Sequence, residues 1–329
     1  MAPVASDQST DQQTTALLTR AIVLRAPREL EIRELSLPTP GIEDVVVDVE
    51  ASGVSAGTER LLWTGRMPPF PGLGYPLVPG YESVGTVTHA GADSGRRVGE
   101  RVFVPGARCF GEIRGLFGGA ASRLVVAGRR VTPVAADLGD RAILLALAAT
   151  AYHALDAGGV QPPDVIVGHG VLGRLLARVA IARGDAPPTV WETSTQRMAG
   201  AQGYAVVHPE ADGRHDYGSI YDVSGDAGLL DTLIGRLRPG GEIVLAGFYH
   251  ERLSFAFPAA FQREVRLRVA AEWQPRDLLK VSELAARGRL SLDGLITHRE
   301  SATDAANAYA TAFDDPSCLK MVLDWRNAQ

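Results

Sequence analysis

The sequence contains one glycine-rich turn of the kind that binds nucleotide phosphates. Residues 168–173 read GHGVLG; they follow the apolar run DVIV (164–167) and open the helix-like stretch VLGRLLARVAI (171–181). In a G-x-G-x-x-G turn the first glycine makes the turn, the second lets the backbone approach a pyrophosphate, and the third lets helix and strand pack closely. Free N–H groups at the helix start then attract the phosphates. The predicted dinucleotide-binding residues of this turn are Gly168, His169, Gly170, Val171, Leu172 and Gly173.

An acidic residue follows at the distance at which dinucleotide-binding proteins hold the adenosine ribose. Glu192, in TVWETS (189–194), lies 19 residues after Gly173 (192 − 173). A carboxylate there accepts hydrogen bonds from the ribose hydroxyls and repels a 2′-phosphate. NAD is therefore the expected cofactor, and Arg197 nearby keeps NADP open as the less favoured alternative.

Two later strand ends are expected beside the same cofactor. The run YDVSG ends in Ser224 and Gly225, and the run EIVLAGF ends in Gly247 and Phe248. Ligands of open parallel sheets bind at the carboxyl ends of the strands, so we place these four residues in the cofactor site. Ordinary turns at both places are the alternative.

Composition excludes several classes of function. The 329 residues carry a net charge of −5 and no long run of Lys or Arg, so nucleic acid is not an expected partner. The two cysteines, Cys109 and Cys318, form no CxxC pattern and exclude a disulfide framework, which favours a cytoplasmic location. No apolar run reaches the ~18 residues that an integral membrane segment needs.

The elements that must position these residues fall into successive zones. Residues 1–19, rich in Gln, Thr and Ser, are expected to form a disordered tail. Residues 20–155 contain short β-branched runs bounded by Gly, Pro and Asp, typical of a barrel-like β unit. Residues 156–289 alternate short apolar runs with helical periods, which indicates a parallel sheet with helices on both faces. Residues 290–329 resume the strand-rich pattern of residues 20–155. The predicted fold class is therefore α/β, with about two domains.

This order of zones resembles the medium-chain dehydrogenase/reductase superfamily over about residues 20–329. The resemblance implies a GroES-like β-rich catalytic domain formed by residues 20–155 and 290–329, and a Rossmann domain, a doubly wound parallel sheet, formed by residues 156–289. It also implies that Thr150 contacts the cofactor and that His153 lies nearby, where a satisfied core histidine is the alternative role. Superfamily members often pair through the last Rossmann strand, here near residues 255–271, so a homodimer is expected.

Several motifs spread over the chain are more specific. They include GTERLLWTGRMPPFPGLGYPLVPGYESVG (57–85), RGLFGGAASRLVV (114–126), AAEWQP (270–275) and CLKMVLDW (318–325). Together they resemble the 3-hydroxyethyl bacteriochlorophyllide a dehydrogenases of bacteriochlorophyll synthesis. The resemblance implies oxidation of the 3-(1-hydroxyethyl) group of a bacteriochlorophyllide to 3-acetyl, with a hydride passing to NAD. A zinc-independent NADPH quinone or enal reductase is one alternative, against which Glu192 speaks. The other alternative is a pigment carrier with a vestigial nucleotide site, which the intact glycine turn disfavours.

Zinc-dependent members of the superfamily supply a cysteine, a histidine–glutamate pair and often a further cysteine. By motif, these positions are Ser55 in ASGVSAGTE, Tyr81 and Glu82 in VPGYESVG, and Ala146 in LLALAATAYHA. One carboxylate cannot form the three-ligand site of a catalytic zinc. A four-cysteine structural zinc lobe is also missing from the sequence, so we predict no zinc and no other protein-bound metal.

Without zinc, another group must take the proton of the alcohol. The resemblance places the hydroxyls of Tyr81, Ser55 and Thr58 nearest to the lost ligands, and Glu82 could be the base or could orient Tyr81. Tyr81 would act as acid and base if a neighbouring charge lowered its pKa. The alternatives are that Tyr81 only fills the emptied site and that Ser55 and Thr58 cap the following helix.

A flat pigment needs a wide slot lined by aromatic and aliphatic groups. Two segments of the β-rich unit supply such groups, with Leu73, Phe110 and Leu116 among them, and simple loop packing is the alternative. The predicted substrate-binding residues are Trp63, Met67, Phe70, Tyr75 and Phe117. Three arginines, Arg60, Arg66 and Arg114, are candidates to pair with the propionate carboxylate. The axial ligand of the pigment magnesium and peripheral contact with the photosynthetic membrane stay open.

Overall fold

The computed structural model describes residues 16–156 and 159–328. Most of the predicted N-terminal tail lies outside these residues. Its predicted boundary at residue 19 is wrong, because the first strand already begins at Leu18 and Thr19 is buried. Leu18 pairs with Ser36 of the next strand, and the Leu37 N–H donates to the Leu17 carbonyl at 2.7 Å. Strand pairing therefore fixes the backbone before residue 20.

The first region consists mainly of strands. In chain order its elements are β1 (Leu18–Ala26), β2 (Glu29–Ser36), β3 (Asp44–Val54), α1 (Thr58–Thr64), β4 (Leu77–Val78), β5 (Ser83–Ala90), β6 (Arg101–Val104), β7 (Arg114–Gly115), β8 (Arg123–Ala127) and β9 (Thr132–Pro133). The valines of β3 are buried, as β-branched side chains are on a covered pleated sheet. Antiparallel pairing of β3 with both β5 and β8 places β3 at the centre of the unit.

The second region alternates strands and helices. A 3₁₀ segment (Ala136–Leu144) leads into it, and its elements are α2 (Leu145–Asp156), β10 (Val165–Val167), α3 (Val171–Arg183), β11 (Thr189–Trp191), β12 (Ala205–Val207), β13 (Tyr217–Asp222), α4 (Leu230–Arg236), β14 (Leu237–Leu245), α5 (Phe257–Gln262), β15 (Arg266–Val269) and α6 (Pro275–Ala286). The strands form one parallel sheet in the order β12-β11-β10-β13-β14-β15. This is the 3-2-1-4-5-6 order of doubly wound folds, which bind ligands where the order reverses, beside β10.

The chain then returns to the first region through β16 (His298–Ser301), α7 (Ala305–Asp314) and β17 (Met321–Asp324). Strand β17 pairs antiparallel with β3, so the larger sheet of the first region has the order β16-β17-β3-β5-β6-β9, with β8 on β3. A smaller sheet has the order β2-β1-β4-β7. The predicted return strand therefore brings residues near 320 beside residues near 54.

Helix α2 joins the two regions. Its buried alanines and leucines share one apolar core with Ala51 and Phe103 of the first region and with Ile166 and Val171 of the second. This common core packs α2 against both regions. Among the described residues, no helix combines the length and the apolar character that crossing a bilayer requires.

Candidate active site

The hydroxyls predicted for the catalytic site do come together. The Tyr81 hydroxyl donates to Ser55 Oγ at 2.7 Å, and Phe117 packs edge-to-face on the Tyr81 ring with centroids 5.4 Å apart. Ser55 follows the end of β3, and Tyr81 precedes β5, so two paired strands fix the two hydroxyls. Thr58 lies at the start of α1, with its side chain half-buried.

The helix-capping alternative for Ser55 and Thr58 is wrong. Gly57 occupies the N-cap of α1 and no side chain caps it. The Ser55 carbonyl instead accepts from the Glu59 N–H at 3.0 Å, and the Ser55 N–H donates to Glu59 Oε1 at 3.0 Å. The Ser55 hydroxyl is thus left to pair with Tyr81.

Tyr81 does not meet the condition set for an acid–base phenol. Burial raises the pKa of Tyr81, and the charge of Glu82 raises it further, while the Ser55 and Thr58 hydroxyls act against both. Its phenol therefore stays protonated at neutral pH and serves as a hydrogen-bond donor.

Glu82 forms a buried ion pair that the sequence analysis missed. Lys320, just before β17, donates through Nζ to Glu82 Oε2 at 2.8 Å, to Oε1 at 3.1 Å and to the Val54 carbonyl at 3.2 Å. Glu82 is fully buried and Lys320 is 3% exposed. Because both carboxylate oxygens already hold the ammonium group, Glu82 is poorly placed to remove a proton from an alcohol. It also makes no hydrogen bond to Tyr81 among those of the described residues.

A second buried carboxyl group, Glu59, was also missed. Its Oε1 accepts from the Ser55 N–H, and its Oε2 lies 2.6 Å from the hydroxyl of Tyr309 on α7. Burial raises the pKa of Glu59 to about 7, against the hydrogen bonds from Tyr309 and Ser55. A large share of Glu59 is therefore neutral at physiological pH, and the Tyr309 hydroxyl remains its hydrogen-bond donor.

The residues at the former metal position do not fit a catalytic zinc. Zinc needs three protein ligands with free lone pairs, and here the Ser55 oxygen pairs with Tyr81 while the Glu82 carboxylate is neutralised by Lys320. Ala146, at the third position, is buried within α2 and has no donor atom. Within residues 16–156 and 159–328, no cluster of three His, Cys, Asp or Glu side chains could hold a metal ion.

The glycine-rich turn has the geometry that a pyrophosphate requires. It joins β10 to α3, and Gly168 has φ +102°, which only glycine adopts without strain. A Cβ on Gly173 would lie 1.9 Å from the Gly168 carbonyl oxygen, so glycine is needed there for the close packing of turn and helix. Gly170 is the N-cap, which leaves the N–H groups of Val171 and Leu172 at the helix start for phosphate oxygens.

Glu192 lies against this turn at the end of β11. Its Oε2 accepts from the His169 N–H at 3.1 Å, and its Oε1 accepts from the N–H groups of Thr193 and Ser194 at 2.8 Å each. Three backbone donors fix a carboxylate that has about four acceptor positions. Arg197 points elsewhere, since its Nε donates to the Pro316 carbonyl at 3.3 Å.

His169 can contact a cofactor only through its backbone. Its ring is fully buried, with Nδ1 2.6 Å from the Arg197 carbonyl and Nε2 2.8 Å from the Tyr204 hydroxyl. Burial lowers the pKa of His169 to about 4, and the charge of Arg174 acts in the same direction. The neutral ring therefore donates through Nδ1 and accepts through Nε2, and it anchors the loop beyond β11.

The other predicted cofactor residues lie at the carboxyl ends of β13 and β14. The Ser224 N–H and hydroxyl both bond Asp222 Oδ1, at 2.9 and 2.7 Å. Gly225 has φ +74°, Gly247 packs against Val223, and Phe248 is 52% exposed. The Thr150 hydroxyl donates to the Ala146 carbonyl of its own helix at 3.1 Å. The His153 ring pairs with the buried Asp277 at 2.8 Å, which favours the structural role for that histidine.

The predicted pigment-binding residues divide by burial. Met67 and Leu116 belong to a small buried core, and Phe110 belongs to the large core of the β-rich region, so all three are largely unavailable to a ligand. Half-buried side chains cover the small core or lie beside Tyr81; they are Trp63, Phe70, Leu73, Tyr75 and Phe117.

Comparison with known proteins places this geometry in context. Residues 41–136 match the alcohol dehydrogenase GroES-like domain. The chain is 57% identical, over 94% of its length and 99% of the relative's, to the 2-desacetyl-2-hydroxyethyl bacteriochlorophyllide A dehydrogenase of Rhodobacter capsulatus. It is 55% identical, over 94% of its length and 98% of the relative's, to the enzyme of the same name from Cereibacter sphaeroides. The solved structure of 2R,3R-butanediol dehydrogenase from Bacillus subtilis has a TM-score of 0.79 at 18% identity, covering 93% of this chain and 99% of that one. The predicted fold class, a GroES-like β-rich region with a Rossmann sheet, is confirmed.

Proposed function

The chain belongs to the family of the 2-desacetyl-2-hydroxyethyl bacteriochlorophyllide A dehydrogenases, and we propose that it works with NAD and without zinc. It is a dehydrogenase that acts on a CH–OH group, and it oxidises the hydroxyethyl group of a bacteriochlorophyllide in bacteriochlorophyll synthesis. The proposal of NAD use without zinc rests on one combination. The glycine turn is intact, while the zinc position holds two hydroxyls and a carboxylate neutralised by Lys320.

The nicotinamide of the cofactor, when bound, accepts the hydride that leaves the alcohol carbon with the electron pair of its C–H bond. The chain supplies the phosphate-binding turn of residues 168–173 and the carboxylate of Glu192 for the adenosine ribose. A fixed negative charge at this position repels a 2′-phosphate, and Arg197 is held by Pro316, away from the role of a phosphate partner. Both features support NAD over NADP.

The Tyr81–Ser55 hydroxyl pair is proposed to receive the proton of the alcohol oxygen. The O–H bond of the alcohol breaks as the carbonyl forms. Its proton passes to the Tyr81 oxygen as Tyr81 passes its own proton to Ser55 and Ser55 releases one to water, so both hydroxyls stay neutral. Tyr81 is half-buried, so part of its side chain is still exposed. Glu82 is proposed as a positioning residue, because Lys320 occupies both its oxygens and ties it to the Val54 carbonyl beside Ser55.

A homodimer is proposed through the edge strand β15 of the Rossmann sheet. Apolar side chains are exposed on this strand and on the neighbouring helix α5: Val269 is 75% exposed, Phe261 69% and Phe257 68%. An uncovered edge strand flanked by exposed aromatic rings favours pairing with a second copy. A cytoplasmic location is also proposed, since Cys109 and Cys318 are both free thiols.

The test of the hydroxyl pair is Tyr81→Phe, which removes one hydroxyl and keeps the ring that packs on Phe117. We expect kcat to fall by about 10²-fold or more, the usual contribution of a positioned proton donor or acceptor, while NAD binding stays unchanged. Conversion is followed by the absorption shift from hydroxyethyl to acetyl pigment. Turnover equal to that of the wild type would leave Tyr81 as a space-filling side chain.

A further inference from the structure

A polar contact of Arg66 joins the β-rich region to the Rossmann region. Arg66 follows the end of α1, and its Nη2 lies 2.6 Å from Nε2 of His250 in the loop after β14. The carboxylate of Glu251 is 3.6 Å from the same Nη2. The side chains of Arg66 and Glu251 are 60% and 64% exposed, so the contact is open to solvent.

The geometry of this contact leaves hydrogen-bond donors for an anion. An arginine cannot accept a hydrogen bond, so Nε2 of His250 accepts from Arg66 and the proton of the neutral ring is on Nδ1. That Nδ1–H has no partner among the described residues, and the guanidinium has further free N–H groups. The Nδ1–H points away from Arg66, so the free N–H groups of the guanidinium are the donors open to an anion, and His250 holds the guanidinium from the other region. Glu251 is a weakly held counter-ion, 3.6 Å from Arg66 Nη2 and 3.5 Å from His250 Nε2.

Apolar groups lie next to the same arginine. The half-buried Phe70 covers the small core that contains Met67, the residue immediately after Arg66. In the Rossmann region, Tyr249 donates to the carbonyl of Asp222 at the end of β13, and Phe248 is exposed. Apolar side chains beside an exposed cation suit a flat apolar molecule that carries one carboxylate.

We propose that Arg66, oriented by His250, binds the propionate carboxylate of the pigment, which replaces Glu251 as the partner of the guanidinium. This inference rests on the proposed function for the identity of the pigment. The other two candidate arginines are placed differently: Arg114 lies against Gly74 and donates to the Tyr75 carbonyl at 3.4 Å, and Arg60 is exposed on α1. Only Arg66, of these three, reaches the Rossmann region in the described part of the chain.

The test compares the free-acid pigment with its methyl ester, which keeps the ring and loses the charge. Arg66→Gln is expected to raise KM for the free acid by about tenfold or more, the loss of a charge-assisted hydrogen bond, and to leave kcat and the KM for the ester unchanged. Glu251→Gln is expected to lower KM for the free acid, because it removes the competing carboxylate. Arg114→Gln is the matched control and should leave KM unchanged for both the free acid and the ester.

Equal effects of Arg66→Gln on acid and ester, or no effect on either, would overturn the proposal, as would an acid-selective loss in Arg114→Gln. Fluorescence titration of both pigments onto the protein gives the same comparison without turnover. If the wild type converts neither pigment, the proposed function fails, while acid-selective binding through Arg66 can still be measured. The two failures are therefore distinguishable.

Discussion

Replacing Lys320 with methionine tests whether a buried ion pair holds the former metal position. The closest approach of Nζ to Glu82 is 2.8 Å, and at an effective dielectric constant of about 20 the attraction is about 6 kcal/mol (332/(20 × 2.8)). Desolvation of both groups offsets much of it, so the measurable quantity is the cost of leaving one charge unpaired. We expect Lys320→Met to lower the free energy of unfolding by about 3–5 kcal/mol, and Glu82→Gln to do the same.

The double variant Lys320→Met with Glu82→Gln tests whether the loss of stability in the single variants comes from the unpaired charge. No unpaired charge remains in it, so we expect a loss of only about 1–3 kcal/mol, from incomplete hydrogen bonding of the new amide. The assay is urea unfolding at neutral pH, read by tryptophan fluorescence and far-UV circular dichroism. Lys280→Met is the matched control, since the chain's only other lysine is 61% exposed and lies 3.9 Å from Glu283; it should change stability by less than about 0.5 kcal/mol. The reasoning is refuted if Lys320→Met costs no more than Lys280→Met, or if the double variant loses the sum of the single losses.

Three further predictions concern the pH response, the cofactor and the assembly. The pKa of Glu59 is about 7 in the folded state, whereas its ordinary value is 4.5. Between these pH values the native state binds more protons than the unfolded chain. The free energy of unfolding therefore falls as the pH rises from about 4.5 to 7. Glu59→Gln should remove about 3 kcal/mol of this fall, and a urea-midpoint-against-pH curve parallel to that of the wild type would contradict this. Gly173→Ala should weaken NAD binding at least about tenfold by calorimetry, because its Cβ would meet the Gly168 carbonyl; Gly213→Ala, with open space around its Cβ, should have no effect. Val269→Lys should convert a dimer to a monomer in analytical ultracentrifugation, whereas a sedimentation coefficient equal to that of the wild type would place the interface elsewhere.

Features that depend on local pattern were predictable from the sequence. The glycine turn at 168–173 lies between β10 and α3 as expected, because Gly168 has a positive φ and Gly173 packs closely on the Gly168 carbonyl. Glu192 directly follows the next strand, β11, as its distance along the sequence from Gly173 predicted. The register of β1 was less accessible: Leu18 and Thr19 form strand because β2 is present to pair with them, and the polar run before them suggested otherwise.

The partners of the buried acids could not be read from local pattern. Lys320 is 238 residues from Glu82, and Tyr309 is 250 residues from Glu59. Both pairs form only because the chain returns to the first region, where β17 joins β3 and α7 lies nearby. One sequence feature pointed to Lys320: the chain has 33 basic residues, of which only Lys280 and Lys320 are lysines, and Lys320 lies in the otherwise apolar run CLKMVL. The raised pKa of Tyr81 likewise follows from burial, which the motif VPGYESVG does not reveal.

Turnover by metal-free protein tests the central claim most directly. Protein dialysed against a strong chelator, with its zinc content measured, is mixed with NAD and the hydroxyethyl bacteriochlorophyllide, and the absorption spectrum is followed for the acetyl product. We predict full activity at far less than one zinc per chain, with NAD used in preference to NADP. Activity that disappears on chelation and returns with stoichiometric zinc would contradict the account.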